Sequence, residues 1–402
     1  MLVQIIDTYS TIVNGAIPTQ IAAEFLSMFT KEQQNSIMAG AGTIVSIGLY
    51  FLFFTQYLSD KIGRKKTLAI TVFGMAIASF GMLVSINYIM YVLFLFFLNF
   101  FFSSDIWLIY VNEEAKPNKR ALLSNIILMA GLIGAVMMVM FRFFFITETN
   151  PFWRGMFFFP LVLGLIVGIL ILTTLKESSK YLEIKDKPDI KSRKFTQDIG
   201  SVFKIETKKP FKFMLIVSFL FGASGIYLTL FAKFLGDLTS PTFTEDRISI
   251  IMLATVFMVI IAYAVNGLLA DRVGRKPLLY LWALLLPTTV ITWVIGAEIL
   301  DSFIIVLLGY SLTHVAFWGL WGIIRLITLE LLPTDRRGTG MGVRSLAHAL
   351  GGTTSSLINI FVLLVLPLGL TFIIFACLTL IMIPIVVITV KETKGVELSL
   401  IK

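Results

Sequence analysis

Three charged motifs occur twice in this chain, in the same order and at nearly the same separation. The segment Asp60–Lys65, Asp-Lys-Ile-Gly-Arg-Lys, returns as Asp271–Lys276, Asp-Arg-Val-Gly-Arg-Lys, 211 residues later. Glu114–Arg120 returns as Glu330–Arg336, 216 residues later. Lys176–Ser178 returns as Lys391–Thr393, 215 residues later. Unrelated motifs that keep one order and one offset indicate an internal duplication. The chain is therefore expected to consist of two equivalent halves.

The composition predicts that both halves lie in a membrane. Of the 402 residues, 57% are hydrophobic and only 14% are charged, more apolar side chain than a water-soluble core of this size can bury. A helix needs about 20 apolar residues to cross a hydrocarbon layer of about 30 Å. By that length we predict twelve transmembrane helices: 2–26, 36–57, 67–85, 89–112, 121–145, 153–175, 211–236, 247–270, 277–299, 303–330, 339–366 and 368–390.

The predicted spans divide evenly around one hydrophilic stretch. Residues 1–175 are expected to form an N-terminal six-helix half, 176–210 a cytoplasmic linker, and 211–402 a pseudo-symmetric C-terminal six-helix half. The predicted fold class is thus an all-α membrane protein with the lipid bilayer as its surroundings. We also expect a short amphipathic helix in the linker near Phe195–Phe203.

The basic residues predict the orientation. Assigning the motif loops, the linker and the end of the chain to one face puts 27 of the 33 Lys and Arg there, which the positive-inside rule identifies as the cytoplasmic face. We expect a protein of the plasma (cell) membrane with both termini on the cytoplasmic side. We expect no nucleic-acid partner. The N-terminus lacks a basic n-region and carries Asp7 in its apolar stretch, so a signal peptide is not expected.

The duplicated Asp-x-x-Gly-Arg-Lys loop resembles the signature of the major facilitator superfamily, and this likeness covers the whole chain. The Glu-x-x-Pro loops and the Lys-Glu endings of both halves resemble its sugar-porter and organic-ion branches. Asp7-Thr8-Tyr9 with Gly15 resembles the metabolite:proton symporters, which usually have a second Asp where this chain has Ser10. The stretch Ser218–Lys233 lacks the Gln-Gln pair and the Asn of sugar porters.

The duplicated loops are predicted to form a cytoplasmic gate. Glycine permits a sharp turn, and Asp60 and Asp271 can pair with basic groups or lie at a helix N-terminus. The basic residues of the motif, Arg64, Lys65, Arg275 and Lys276, are expected to meet carboxylates at neighbouring helix ends, such as Glu114, Glu177, Glu330 and Glu392. The predicted gate residues are Asp60, Gly63, Arg64, Glu114, Arg120, Asp271, Gly274, Arg275, Glu330 and Arg337. The alternative is that the basic residues only set the topology, and Lys61 and Lys66 are assigned to that role. If the loops form a gate, an Asp60→Asn protein that inserts normally should transport poorly.

The resemblance implies that spans 1, 4, 7 and 10 line a substrate cavity between the halves. On those spans, polar and ionisable side chains in the membrane are functional candidates. Span 10 carries His314, Trp318, Trp321 and Arg325 at helical spacing, and span 1 carries Asp7 and Asn14 on one such face. The predicted substrate-binding residues are Asn14, Asn99, Thr229, His314, Trp318, Trp321 and Arg325, and the predicted proton-coupling residues are Asp7 and Asp105.

Several of these assignments have a simpler alternative. His314 can be a neutral histidine hydrogen-bonded within the bundle, and Asp7 can be solvated near the headgroups. Arg325 and Arg344 lie near the cytoplasmic end, where they can belong to the gate, for example by pairing Arg325 with Glu330. Arg142 and Arg154, beside an outer loop, can be ordinary helix-end residues.

The expected function is secondary active transport by alternating access, with proton-coupled symport of a small anionic metabolite. Buried carboxylates make proton uptake feasible. The cationic set of His314, Arg325 and Lys233, with Arg142 as a further candidate, favours an anion. Sugar transport is the alternative, since Trp318 and Trp321 offer stacking surfaces, and a transporter-like nutrient receptor is a third. We expect a monomer that is not an enzyme and uses no cofactor or metal, because a nucleophile–base pair, a metal cluster and a phosphate loop are all missing from the sequence.

Overall fold

The protein is described here from a computed structural model, which defines two compact units. The described residues are 1–51, 55, 58–59, 62–102, 106–114, 120–147, 151–178, 181–182, 203–204, 207–332 and 337–392. One unit comprises Met1–Phe29 with Ile44–Arg193, and the other comprises Thr30–Thr43 with Lys194–Lys402. The predicted linker at 176–210, including most of the helix expected near Phe195–Phe203, lies largely outside the described residues.

Among the described residues, eight α-helices with defined bounds lie before residue 175. They are α1 (Leu2–Ala16), α2 (Pro18–Phe25), α3 (Lys31–Gly48), α4 (Arg64–Leu83), α5 (Tyr88–Phe100), α6 (Ile106–Glu114), α7 (Arg120–Phe145) and α8 (Phe158–Thr174). Short 3₁₀ turns follow α3 and precede α8. Within the first unit, α1 packs against α7, and α4 packs against α5 and α8.

The described residues of the second unit contain seven more helices, together with the first part of α3. They are α9 (Lys208–Ala223), α10 (Tyr227–Asp237), α11 (Glu245–Val273), α12 (Arg275–Glu298), α13 (Phe303–Glu330), α14 (Arg337–Val362) and α15 (Leu368–Thr389). Helix α13 packs between α11 and α12, and α9 packs along α14. Ser36 of α3 donates a hydrogen bond to the Ile360 carbonyl of α14, which ties α3 to this unit.

Seven helical stretches in the described part of the chain are long and apolar enough to cross a membrane. They are Arg64–Leu83, Trp153–Thr174, Lys208–Asp237, Glu245–Ala270, Arg275–Glu298, Phe303–Glu330 and Leu368–Thr389. Three of the predicted continuous spans are instead interrupted, namely 2–26, 89–112 and 211–236. In the first, Pro18 has no N–H to donate and its ring clashes with the preceding turn, so α1 ends at Ala16.

Close helix crossings in both units depend on glycine. A Cβ on Gly134 of α7 would collide with the Ile5 carbonyl of α1, and a Cβ on Gly351 of α14 would collide with the Phe219 carbonyl of α9. Small residues at such crossings let helix backbones approach in a membrane. Aromatic side chains fill the centre of the second unit, where Trp293 is fully buried between Phe231, Tyr310 and Phe372.

Candidate functional site

Glu392 closes the turn at the start of α12 in the second unit. Gly274 has a φ of 110°, a backbone conformation that favours glycine, and a Cβ there would lie 2.8 Å from Glu392 Oε2. The carboxylate accepts the backbone N–H groups of Arg275 at 2.9 Å and Lys276 at 3.0 Å. These donors are unpaired at the N-terminus of any α-helix, where the helix dipole also favours an anion. Glu392 is therefore an N-terminal cap supplied from the segment after α15.

The Arg275 side chain joins this turn to the end of α13. Its Nη2 lies 2.9 Å from Glu330 Oε1, and its Nη1 donates to the Ala270 carbonyl at 2.9 Å. Both members of the pair are largely buried, with 8% of Arg275 and 9% of Glu330 exposed. A buried ion pair with further hydrogen bonds holds its two elements in one geometry, because separating them would leave a charge without compensation.

The first unit repeats this arrangement at the start of α4. Gly63 has a φ of 102°, and Glu177 Oε1 accepts the backbone N–H groups of Arg64 at 2.8 Å and Lys65 at 3.0 Å. Arg64 Nη1 donates to the Ser59 carbonyl five residues earlier, as Arg275 does to Ala270. The duplication seen in the sequence is thus also a duplication of hydrogen bonds.

The contacts just described join elements of a single unit in each case. Glu114, the counterpart of Glu330, lies at the end of α6 with its side chain exposed. Asp60 and the side chains of Arg120, Asp271 and Arg337 lie outside the described residues. The pairing of the basic motif with Glu177, Glu330 and Glu392 is as the sequence suggested, whereas the role of this network as a gate stays a prediction.

One face of α13 carries the four predicted span 10 residues. His314, Trp318, Trp321 and Arg325 are each half-buried, while the remaining faces of the helix at this level are largely buried. The Arg325 guanidinium carbon lies 5.2 Å from the centroid of the Trp321 ring, and the Trp318 and Trp321 rings meet edge to face at 5.7 Å. The helix therefore presents a cation and two indole rings side by side; we call these four residues the α13 face.

Arg325 is not part of the ion pair between Arg275 and Glu330. The Glu330 carboxylate, which the alternative interpretation assigned to Arg325, is held by Arg275. Among the described residues, Arg325 forms no ion pair, and its neighbour is the Trp321 ring. A guanidinium stays charged at any physiological pH and is costly in a membrane without an anion nearby. This geometry makes Arg325 available to a ligand.

The hydrogen bond of His314 defines how its ring can contact a ligand. Its Nδ1 lies 3.2 Å from the Tyr310 carbonyl oxygen, one helical turn earlier, and a carbonyl can only accept. Nδ1 is therefore the donor, and in the neutral ring Nε2 is left as an acceptor. His314 is hydrogen-bonded within the bundle, as the simpler interpretation proposed, while Nε2 remains available for a second contact.

Lys233 is a buried cation with a partner on its own helix. Its ammonium lies 2.9 Å from both carboxylate oxygens of Asp237, and Lys233 is only 1% exposed. The backbone carbonyl of Asp237 also accepts a hydrogen bond from Lys31 of α3. Lys233 was expected to add positive charge to the cavity, and this was wrong, because Asp237 neutralises it. The i, i+4 spacing of the pair is the signal that could have predicted this.

The predicted residues of span 1 lie in the first unit. Asp7 is completely buried, which differs from the solvated position offered as its alternative. Asn14, two turns later, accepts a hydrogen bond from the Tyr91 hydroxyl of α5 at 2.6 Å. Asp105, the second predicted proton carrier, lies outside the described residues.

Two predicted binding residues donate hydrogen bonds to backbone carbonyls three or four residues earlier in the chain. Asn99 Nδ2 donates to the Leu95 carbonyl at 3.0 Å, and Thr229 Oγ1 donates to the Ile226 carbonyl at 2.9 Å. Such local bonds satisfy a polar side chain in a membrane helix without a ligand. In this structure neither donor is directed to a neighbouring helix.

Arg142 has a role that the sequence did not reveal. It is fully buried in α7, and its Nε donates to the Ala16 carbonyl at 2.9 Å, where α1 ends before Pro18. The break exposes backbone acceptors that the helix no longer satisfies, and a buried arginine supplies a donor. Arg154 is partly exposed, paired with Glu24 at 2.6 Å and stacked 4.3 Å over Trp153.

Comparison with known proteins gives the family. The family model described as Major Facilitator Superfamily matches residues 2–241. The chain belongs to the major facilitator superfamily. A second model, described as Sugar (and other) transporter, matches residues 238–402. The matched families and relatives are transporters and not enzymes, so this chain is a multi-pass membrane transporter of a small molecule.

Curated relatives are distant in sequence. A Bacillus subtilis protein named as a niacin/nicotinamide transporter, NiaP, is 24% identical over 370 residues, covering 90% of this chain and 88% of the relative. The proline/betaine transporter of Escherichia coli is 28% identical over 249 residues, covering 57% of this chain and 49% of the relative.

Solved structures with this fold span almost the whole chain. The inward open xylose transporter XylE from E. coli has a TM-score of 0.77 at 18% identity, covering 99% of this chain and 96% of that one. The nucleoside transporter NupG has a TM-score of 0.75 at 16% identity, covering 97% and 99%. At these identities the likeness shows the fold alone, which is the all-α fold of twelve transmembrane helices in two six-helix halves.

Proposed function

We propose that this protein is a secondary active transporter that carries a small organic anion by alternating access, with the α13 face as part of its binding site. The observation that carries this proposal is the position of Arg325, half-buried on a membrane helix, stacked on Trp321 and without an ion pair among the described residues. A carboxylate on the substrate would supply the missing negative charge, with the two-pronged geometry that a guanidinium matches.

The indole rings favour a substrate with a flat or apolar part beside its charge. Trp318 and Trp321 are arranged edge to face, next to the Arg325 cation, so a ring or a methylene chain can pack on them while its carboxylate meets the guanidinium. His314 Nε2 can then accept a hydrogen bond from a donor on the same molecule. The names of two relatives include compounds with a carboxylate, namely niacin and the zwitterions proline and betaine, although nicotinamide, also named for the first relative, is neutral.

Sugar transport is the second candidate. Its support is the Sugar (and other) transporter match at residues 238–402, and the ability of Trp318 and Trp321 to stack on a sugar ring. A neutral sugar would leave Arg325 without a counter-charge, which is why we place the anion first.

A matched pair of ligands separates these two candidates. Nicotinate and nicotinamide share one ring and differ in whether they carry a charged carboxylate or a neutral amide. Purified protein should be stabilised against heating by nicotinate at concentrations where nicotinamide and xylose have no effect, because a ligand that binds the native state raises its apparent stability. Stabilisation by xylose alone would favour the sugar transporter instead.

Proton coupling is proposed through Asp7 and Asp105. Asp7 is an acidic residue buried completely within a membrane helix, an expensive placement that is usually functional. In proteoliposomes we expect uptake to rise with an inward proton gradient, and the Asp7→Asn and Asp105→Asn variants to lose that dependence while exchange of substrate continues. An unchanged response to the gradient in both variants would exclude coupling through these residues.

The cellular placement is proposed from the charge distribution. The excess of Lys and Arg in the motif loops supports cytoplasmic termini in a cell membrane protein. We further propose that the protein works as a monomer. Accessibility of single introduced cysteines in intact cells, in a Cys377→Ser background, checks the orientation; crosslinking in membranes checks the oligomeric state.

A further inference from the structure

An apolar groove of about 590 Å³ runs along the outer face of α4 in the first unit. Its floor is built from side chains of α4, with one wall from Phe101 after α5 and the other from Leu172 of α8. The lining residues are Ile62, Lys66, Ala69, Ile70, Phe73, Gly74, Ile77, Phe101 and Leu172. The only charged side chain in this set is Lys66, at one end.

Glycines set the shape of the groove. The Phe101 ring lies directly against Gly74, in the place that a Cβ would occupy. The Phe73 ring packs in the same way against Gly168 of α8, whose Cβ would be 2.7 Å from that ring. The two rings occupy the space that side chains at Gly74 and Gly168 would need, and both rings line the groove.

The groove faces lipid and has the length of one leaflet. Ile70 is 46% exposed, Ile77 63% and Leu172 49%, as expected for apolar side chains in contact with hydrocarbon. From Lys66 to Ile77 the helix rises about 16 Å, at about 1.5 Å per residue. This is close to half of a hydrocarbon core of about 30 Å. One acyl chain of one leaflet therefore matches the groove in length and polarity.

Lys66 lies where the headgroup of such a lipid would be. It follows the Gly63 turn at the start of α4, its side chain is exposed, and among the described residues its ammonium forms no ion pair or hydrogen bond. A lysine just outside the hydrocarbon attracts anionic lipid headgroups. The second half of the duplicated sequence has Pro277 and Leu285 at the positions of Lys66 and Gly74, so the charge and the glycine occur in the first half alone.

We propose that this groove is a binding site for an anionic phospholipid, with one acyl chain along α4 and the phosphate group on Lys66. Membrane lipid is the expected occupant, because the groove is apolar, faces the lipid and has a cation at the end where the headgroups lie. Weak, unselective contact with bulk lipid is the competing outcome.

The test measures lipid retention by native mass spectrometry of the full chain, titrated with phosphatidylglycerol or with phosphatidylcholine of the same acyl chains. Lys66→Gln removes the charge, and its control is Lys212→Gln, an exposed lysine on α9. Ile70→Trp fills the groove, and its control is Leu281→Trp, the duplicated position in α12, whose leucine is also 46% exposed. Both pairs replace exposed side chains, so the variants should fold.

We expect tighter binding of phosphatidylglycerol than of phosphatidylcholine by the unmodified protein. Lys66→Gln should weaken phosphatidylglycerol binding by about fivefold, the effect of one basic residue near an anionic surface. Ile70→Trp should weaken the binding of both lipids, and the two controls should change neither. Equal binding of the two lipids, an effect of Lys66→Gln no larger than that of Lys212→Gln, or full retention by Ile70→Trp would each overturn the proposal. So would a dimer of the chain that Ile70→Trp dissociates.

Discussion

Arg275, at the start of α12, and Arg325, on α13, are two arginines of the second unit that differ in how their charge is compensated. Arg275 meets the Glu330 carboxylate at 2.9 Å and the Ala270 carbonyl at 2.9 Å, so its charge is compensated within the protein. Arg325 lies over the Trp321 ring and forms no ion pair with a carboxylate of the described residues. The first arginine holds helices together, and the second retains a charge that a ligand can meet.

We infer from this difference that charge compensation, and not residue type or depth, separates the structural cations from the cation proposed to bind a ligand. Lys233 supports the same conclusion, because it is only 1% exposed and Asp237 neutralises it. Removing a compensating acid should therefore destabilise the fold, whereas removing an uncompensated base should weaken ligand binding.

The largest effect on stability is expected at the Arg275–Glu330 pair. Glu330→Gln leaves a buried guanidinium without its counter-charge, which typically costs about 3 kcal/mol. The apparent melting temperature of the purified protein should fall clearly, with or without ligand. Replacing both partners with apolar residues, Arg275→Met with Glu330→Leu, should recover much of the loss. An unchanged melting temperature for Glu330→Gln would mean that Arg275 is not structural.

A smaller loss is expected from the caps of α12 and α4. Glu392→Ala removes the acceptor of two backbone N–H groups, and the loss of a helix cap costs about 1 kcal/mol. Glu177→Ala should cost a similar amount, because it holds the equivalent N–H groups of Arg64 and Lys65. The two variants should therefore lose similar amounts of melting temperature. A clearly larger loss in one of them would show that the duplicated turns are not equivalent.

The smallest effect is expected at the outer pair of Arg154 and Glu24. Their side chains are 25% and 39% exposed, and ion pairs in contact with solvent contribute less than about 1 kcal/mol. Glu24→Gln should therefore leave the melting temperature almost unchanged, and higher salt should reduce even that difference. A loss of melting temperature as large as that of Glu330→Gln would show that solvent exposure does not determine how much each ion pair contributes to stability.

The duplication in the sequence predicted the contacts at the two turns. It placed glutamates at helix ends next to the motif of each half, and Glu177, Glu330 and Glu392 have the predicted basic partners. The stripe on α13 was predicted as well, since residues 4, 7 and 11 positions apart share a helical face. Periodicity within one helix is visible in the sequence alone.

Contacts between distant segments were not predictable in the same way. The bond from Arg142 to the Ala16 carbonyl joins residues 126 positions apart and depends on a helix break at Pro18. Asn99 and Thr229 were predicted as ligands because they are polar, but polarity does not reveal that each donates to its own helix. The neutralisation of Lys233 is a local contact that the sequence does indicate, because Asp237 follows four residues later on the same helix.

The central claim is that Arg325 binds the anionic group of the substrate, and equilibrium binding to three proteins tests it most directly. Nicotinate, or the tightest anion from the ligand screen, is titrated into the unmodified protein, Arg325→Gln and Arg325→Lys, and melting temperatures without ligand show that each variant is folded. A hydrogen bond to a charged group contributes about 1.5 to 3 kcal/mol, so Arg325→Gln should raise Kd by about 10- to 100-fold. Arg325→Lys should raise it less, and the unliganded melting temperatures should agree. An unchanged Kd in Arg325→Gln, or tight binding of a neutral hexose by all three proteins, would contradict the claim.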